Sequence, residues 1–488
     1  MANRSRADFC WNRFARYAKT GWLTACLMMT GLMMAAGLAG AADINSKDFS
    51  ADDLFQLKKI WTVDLVVAPA EWKAMTPRMD GPHGPSALIG PEGGRNGYLA
   101  AQGLVFDWAH ADFSIDGKSF KDVGLRYKGN GTFAQGRNKI SMKLNLTKYQ
   151  KGQKLAGMSM LNLANNITDA GWMNEELAYK LFRDAGAPSP RSSYAKVYVT
   201  IPGQMERRYM GLYSLIEEVD DTFVQTRFGS KGGALMKPVA LSLFTDLGDN
   251  WKAYNQIYDP KTEITDAHKA RFFEFCKIVT KGSDEEFAAK LPEYINLDNL
   301  ARFVAVDVYL SDFDGFLNNG QNYYMYLDPK TNKFNFMAWD QDHGFGQMGR
   351  ASNPQTENFS IYHPWSSRNR FLARVFAVPA FKDLYLARMR EFSKTIFEPA
   401  RLFAEVDDLA PVLRPAIEEE SKVAAKFFDM AVADPAVADP AAVPAAAGPQ
   451  QMFGERLKTF VKARTPKIID QLDGKSQGDQ VEISTRAN

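Results

Sequence analysis

The hydrophobic period of this chain changes partway along, and that change limits the folds open to it. In the first half, "IWTVDLVVAP", "ADFSIDG", "FKDVGLRYKGNG" and above all "NKISMKLNL" repeat every second residue, which turns one face of a strand toward a core. In the second half the repeat is helical: "AHKARFFEFCKIV", "DEEFAAKL", "LDNLARFVAVDVYLS" and "RFLARVFAVPAFKDLYLARMREFSKTIF", the last broken at Pro379. Within the β half, "TDAGWMNEELAYKLFRDAG" predicts one helix, with a Thr/Asp start, Leu177, Leu181 and Phe182 at helical spacing, and a stop at Gly186. After it, "SSYAKVYVTIPGQMERRYMGLYSLIEEVD" predicts a hairpin turning at Pro202-Gly203. Strands largely segregated from helices define an α+β class.

The N-terminus follows a different logic. Arg4, Arg6, Arg13, Arg16 and Lys19 precede an apolar run from Trp22 to Leu38 that ends in Ala39-Gly40-Ala41, the pattern of a secretory signal peptide over residues 1–41. Leu23-Thr24-Ala25-Cys26 resembles a lipid-attachment box, but the apolar run lies after it, so lipidation of Cys26 is not expected. An exported protein, periplasmic or at the surface, is therefore expected, free of the membrane once the leader is removed.

The whole chain is 45% hydrophobic and 24% charged with mean hydropathy −0.31, which excludes a polytopic membrane protein. Removing residues 1–41 moves the formal charge from +2 to about −2, a balance that calls for no nucleic acid. Cys276 is then the remaining cysteine; it cannot form an internal disulfide, and its helical setting predicts a buried apolar residue.

The chemistry concentrates in residues 304–346. A helix leads into "DFDGFLNNGQ", then "NYYMYL" and "FNFMAW" form two strands joined across Asp328-Pro329, and "DQDHGFG" follows. Phosphoryl transfer with magnesium needs a carboxylate on the metal, a second to orient the attacking hydroxyl, and often an amide to complete the metal shell. The hairpin would set Asn322 beside Asp340, with acids in the loop before it. The plainer alternative is that Asp340 and Asp342 hold a turn while Asn322 caps a strand.

Several segments together settle on a family. "DVGLRYKGNGTF" with "KISMKLNL", "ANNITDAGWMNEELAYKLFRDAGAPSPRSSYAKVYV", "MGLYSLIEEVDDTFV", "GALMKP", the stretch from Asn318 to Gly346 and "FLARVFAVPAFKDLYLARMREF" occur in the order and spacing of the CotH family, the spore-coat-type atypical protein kinases, over about residues 60–400. The resemblance implies a divergent kinase-like fold of two lobes: a β-rich N-terminal lobe (42–220) with one major helix, and a helical C-terminal lobe (221–429) holding the hairpin. Beyond these lie an Ala/Pro-rich linker (430–450) and a C-terminal helix and tail (451–488).

The resemblance also implies binding of ATP with Mg2+ or Mn2+ and phosphate transfer to Ser or Thr of a partner protein on the surface or envelope. Asp340 would be the metal-binding aspartate, with Asn322 its supporting ligand and Asp342 a second ligand or a structural acid. Asp314 would orient the substrate hydroxyl, with Asp312 the competing candidate, and His343 is a neighbour rather than a base. Around the glycine turn, Arg126, Lys128, Lys139 and Lys143 would meet phosphate, alternation placing Lys139, Ser141 and Lys143 on one face. Glu217 and Asp220 match the family's acids after "GLYSL", for adenine-side hydrogen bonding or for bracing the lobes, and Lys237 matches a further position. Ala338 stands where the family commonly has proline, and the usual kinase G-x-G-x-x-G and His-Arg-Asp motifs are absent. The rival expectation is a catalytically inactive surface or matrix binding protein whose acidic cluster holds Ca2+ structurally.

Overall fold

The computed structural model describes residues 49–79, 88–90, 95–130, 133, 139–347, 354–435 and 457–480. The expected leader, most of the Ala/Pro-rich linker and Gly131-Thr132 of the glycine turn lie outside them. All described residues belong to one compact unit, Asp43–Asn488. Among the described residues no helix is long and apolar enough to cross a membrane.

The strands are β1 (Ile60–Val66), β2 (Arg78–Met79), β3 (Leu104–Val105), β4 (Ala109–Ile115), β5 (Lys118–Tyr127), β6 (Met142–Asn145), β7 (Met160–Ala164), β8 (Ser192–Ile201), β9 (Met205–Glu217), β10 (Ala234–Met236), β11 (Tyr323–Asp328) and β12 (Lys333–Ala338). Seven of them close into a barrel in the order β1-β4-β5-β6-β7-β9-β8. All its pairings are antiparallel except β1 with β8, which runs parallel from Ile60↔Tyr194 to Val66↔Thr200. Closure leaves the barrel no free edge. It needs strong curvature, supplied by bulges in β5, where Lys121 and Asp122 face the single Asp112 of β4, and in β9 at Met210, next to Gly211. Gly211 has φ +124°, and a Cβ there would stand 2.4 Å from the Glu420 carboxylate, so the bulge requires glycine.

Inside the barrel the alternating positions of the sequence meet: Val63, Phe113, Leu125, Leu144, Leu163 and Leu215 are all buried in one core. The period-two reading was therefore sound, with two differences. "NKISMKLNL" forms a ladder strand only over Met142–Asn145, and β7 was not anticipated because "MLNLA" sits among glycines and asparagines that read as loop.

Among the described residues the helices of eight residues or more are α1 (Asn174–Asp184), α2 (Asp221–Phe228), α3 (Asp266–Lys281), α4 (Asp284–Tyr294), α5 (Leu297–Leu310), α6 (Arg370–Ala377), α7 (Pro379–Ser393), α8 (Pro399–Glu420), α9 (Lys422–Val432) and α10 (Leu457–Leu472). They form a second core with β10, β11 and β12, a three-stranded sheet in the order β10-β11-β12. Helix α5 is the axis of this core: eleven of its fourteen residues are buried. Cys276 is buried in α3, as its apolar setting predicts.

Two contacts hold the functional elements in place. At the C-terminal end of α5, the fully buried Arg464 of α10 donates to the carbonyls of Val308 (2.8 Å) and Phe359 (2.7 Å), while Gly346 N–H bonds Leu310 O at 2.9 Å. Those bonds supply donors to carbonyls that a helix end leaves without partners. At the C-terminal end of α8, Glu420 accepts from Lys139 Nζ (2.8 Å) and from Leu212 N–H (2.8 Å), which fixes the helix against the barrel.

Candidate phosphate and cation site

The hairpin β11-β12 pairs Tyr323 with Ala338, so Asn322 and Asp340 emerge from its open end. Both have left-handed backbones, Asn322 at φ +60° and Asp340 at φ +57°. A non-glycine residue enters that region at a cost of about 1–2 kcal/mol, smallest for Asn and Asp, and the conformation persists where surrounding contacts fix it. The contacts are visible. Gln341 Nε2 bridges Asn322 O (3.3 Å) and Trp339 O (3.1 Å), and Tyr179 of α1 accepts the Asp340 N–H at 2.9 Å.

Helix α5 ends at Ser311, itself left-handed, and delivers the acidic loop to the same place. Asp314 is gripped by amides: Asn319 and Gln321 each donate to Oδ1 at 2.9 Å, and Asn322 Nδ2 donates to Oδ2 at 3.0 Å and to the Asp314 carbonyl at 3.1 Å. With its nitrogen engaged, the Asn322 amide retains its carbonyl oxygen to accept a cation. Gly320 closes this loop at φ +64°, where a Cβ would strike Ala240 O at 1.9 Å. Asp312 is different. It is fully buried, its Oδ1 accepts the Asp314 N–H at 2.9 Å, and its Oδ2 has no hydrogen-bond partner among the described residues. Burial and then the neighbouring Asp307 push its carboxyl well above the usual range.

Asp342 accepts a hydrogen bond from Thr168, and burial pushes its carboxyl up, with Asp340 and Asp314 adding to the effect against His343. For His343 burial opposes the charged form, but Asp342, Asp314, Asp312 and Asp340 outweigh it and raise its pKa to about 9. His343 is thus an imidazolium at neutral pH, a resident counter-charge that cannot accept a proton. Glu175 of α1 belongs to the same neighbourhood: burial and then Asp340 push its carboxyl well up.

The opposite wall is basic. Lys128 and Lys237 place their Nζ atoms 5.1 and 5.3 Å from the ring of Trp339, the residue before Asp340. Burial lowers Lys237 to about 8 despite the attraction of Asp340. Arg126, on β5, lies over Trp108 and is likewise lowered by burial. Among the described residues none of Arg126, Lys128 or Lys237 has a carboxylate within ion-pair distance, and no lysine or arginine reaches Asp340. Lys143 is paired, at 2.5 Å, with Glu218, which also accepts from Asn162 at 2.6 Å. The charges are linked through space: Lys237 feels Asp340 and Lys128, and Lys143 feels Arg126 and Lys128.

Three of the expected residues are engaged elsewhere. Lys139 precedes the strand instead of lying on it, and its Nζ is buried under α8 against Glu420 and Leu212 O (2.8 Å), so it does not share a site with Lys143. Glu217 is held by Arg191 and by Arg227 (2.9 Å) and braces β8, β9 and α2, which leaves it no freedom to hydrogen-bond an adenine. Asp220 caps α2 through Thr222 and Phe223 N–H. The acid that meets the lysine is the next residue, Glu218. Sequence reasoning missed it because β9 is buried on both faces from Gly211 to Glu217, where alternation carries no parity. Tyr179 and Glu175 were also missed, although their one-turn spacing on a helix was legible.

Among the described residues no three His, Cys, Asp or Glu side chains gather into a ready-made metal cage. A magnesium ion shared with phosphates requires only one or two protein carboxylates, and Asp340 with the Asn322 oxygen fits that donor set. A separate cavity of about 220 Å³ at the barrel mouth, lined by Trp72, Tyr127, Met142, Met210 and Tyr213 among others, shares none of these charges.

These features define an α+β protein with a barrel and a helical core, in which the hairpin end sets Asp340 near Lys237, a cation with no carboxylate at ion-pair distance among the described residues. The family follows from comparison: a model described as CotH kinase protein matches residues 125–466, well over half of the chain, and the protein belongs to that family. It is similar to the inner spore coat protein H of Bacillus subtilis (strain 168), 22% identical over 302 residues, which cover 61% of this chain and 78% of that protein. A chain from the complex of HipA, HipB and operator DNA of the Shewanella oneidensis MR-1 toxin–antitoxin system superposes with a TM-score of 0.30 and 12% identity, over 71% of this chain and 68% of that one. That likeness is too slight to carry an argument.

Proposed function

We propose that this protein is an exported, CotH-type atypical kinase of two-lobed, kinase-like design that transfers the γ-phosphate of ATP to Ser or Thr of an envelope or surface protein. The barrel and its core serve as the N-terminal lobe, the helical core as the C-terminal lobe. The observation that carries the reading is a set of cations near the hairpin end without a carboxylate partner at ion-pair distance, of which Lys237 feels Asp340 directly. Arg126 and Lys237 are desolvated and Lys128 stands over Trp339, an arrangement that a bound polyphosphate would relieve.

Lys143, oriented by Glu218, joins these three in binding phosphate oxygens. Asp340 and Asn322, with Asp342 behind them, hold the divalent cation, Mg2+ or Mn2+. When bound, that cation neutralises charge on the transferring phosphoryl group. Asp314, held by three side-chain amides, orients the acceptor hydroxyl and takes its proton. Asp312 shapes the loop from beneath, and His343 balances the negative charge of the acids.

The test is nucleotide binding and phosphate incorporation by residues 43–488 with Mg2+ or Mn2+, beside Asp340→Ala. The expected result is metal-dependent ATP binding and labelling of the wild type, both lost in the variant. If the wild type binds no nucleotide with any metal, the reading fails, and the inactive binding protein with a structural Ca2+ takes its place.

A further inference from the structure

We propose that Tyr179 and Glu175 of α1 are positioning residues that lock the backbone of Asp340 in its cation-binding conformation. The inference rests on the reading of Asp340 as a cation ligand. The two side chains lie one helical turn apart, i and i+4, so they share a face of α1. Tyr179 is fully buried and Glu175 is 4% exposed. The Tyr179 hydroxyl donates to Glu175 Oε1 at 2.5 Å and accepts the Asp340 N–H at 2.9 Å.

The need for such a lock follows from where Asp340 sits. Strand β12 ends at Ala338, so the Asp340 amide has left the ladder and requires another acceptor. Its φ of +57° lies in the left-handed region, which Asp and Asn enter more readily than other non-glycine residues but which still needs contacts to hold it. One phenolic oxygen meets both needs. By donating to the Glu175 carboxyl oxygen, the hydroxyl becomes a stronger acceptor for the amide. The backbone end of the tether is rigid as well, since Ser189 Oγ bonds the Tyr179 carbonyl at 2.7 Å. Helix α1 follows barrel strand β7 in the chain, but Leu177, Tyr179 and Phe182 are buried in the helical core together with Ala338 and Trp339. The tether is therefore made within that core, between α1 and the end of the hairpin that carries the cation ligand.

The experiment uses the chain from residue 43 and compares wild type, Tyr179→Phe, Glu175→Gln and, as a control for packing of the same helix, Leu181→Val. Two quantities are read: Mn2+ affinity by electron paramagnetic resonance with ATP present, and hydrogen exchange of the Asp340 amide without metal or nucleotide. The expected result is roughly tenfold weaker Mn2+ binding and roughly tenfold faster Asp340 exchange in Tyr179→Phe, a smaller change of the same sign in Glu175→Gln, and neither in Leu181→Val. Unchanged Mn2+ affinity in Tyr179→Phe overturns the proposal, as does a matching loss in Leu181→Val. If the wild type itself binds no Mn2+ with ATP, the kinase reading fails separately, and the exchange measurement alone decides whether the tether fixes Asp340: faster exchange in Tyr179→Phe upholds it, and equal exchange overturns it.

Discussion

Asp312 and Asp314 show how two identical side chains two residues apart acquire different work. Asp314 faces the hairpin and is aimed by three amides, whereas Asp312 is fully buried with one oxygen unpartnered. Asp314→Asn is expected to lower phosphate transfer by about 100-fold or more, the scale of losing a positioned base, with ATP affinity kept. Asp312→Asn retains the acceptor for the Asp314 N–H. It also removes a carboxyl whose raised pKa makes its ionisation costly above the ordinary aspartate pKa of 3.8. Thermal melts at pH 7 should show that variant as stable as wild type or more so. Lys237 gives a pH signature. Its pKa of about 8 lies below the ordinary lysine value of 10.5, so the unliganded protein loses this charge as pH rises through about 8. ATP affinity measured by calorimetry should weaken from pH 7 to pH 9, with proton uptake on binding, and Lys237→Arg should flatten the dependence. The sign for stability is the reverse: burying the charged lysine costs most below pH 8, and the penalty fades toward pH 10.5.

Among the elements, α10 is the one whose importance its own sequence conceals. "LKTFVKARTPKIIDQL" reads as an unexceptional amphipathic helix, yet Arg464 is fully buried and its guanidinium serves the carbonyl of Val308 at the end of α5 and those of Glu357 and Phe359 in the segment beside it. Burial lowers its pKa to about 10, which still leaves it charged at neutral pH. Arg464→Leu would strand those carbonyls at the root of the acidic loop, and about 3 kcal/mol of stability should be lost. Urea melts check this. The helix α8 carries a related lesson: Pro411 and Pro415 suggest a break, but the helix runs through both and ends instead at Ser421, where φ is −162°. What decides its end is the anchorage of Glu420 at the Gly211 bulge, a contact between residues more than two hundred positions apart.

At the level of the whole molecule, the two cores do not stand alone. Phe460, Val461 and Ile468 of α10 are fully buried in the helical core, each contributing about 1.5–3 kcal/mol by burial, and Arg464 adds its bonds. Their combined loss is comparable with the 5–15 kcal/mol that holds an ordinary domain together. A chain ending at Ala433 should therefore show no cooperative thermal transition by circular dichroism, whereas one ending at Gln480 should melt cooperatively.

The α+β class, the hairpins, the α1 helix and the order of Asp314, Asn322 and Asp340 were legible in the chain, because strand and helix periods and turn residues are local properties. Three things were not. Closure of the barrel depends on the parallel pairing of β1 with β8, which no local pattern encodes. The choice of Glu218 over Glu217 for Lys143 depends on which face of a doubly buried strand meets the site. The removal of Lys139 from the phosphate wall depends on where the end of α8 arrives. Sequence determined which charged groups the protein possesses. Tertiary structure decided which of them neutralise one another and which are left unpaired around Asp340, since pairing is a matter of distance in space and desolvation.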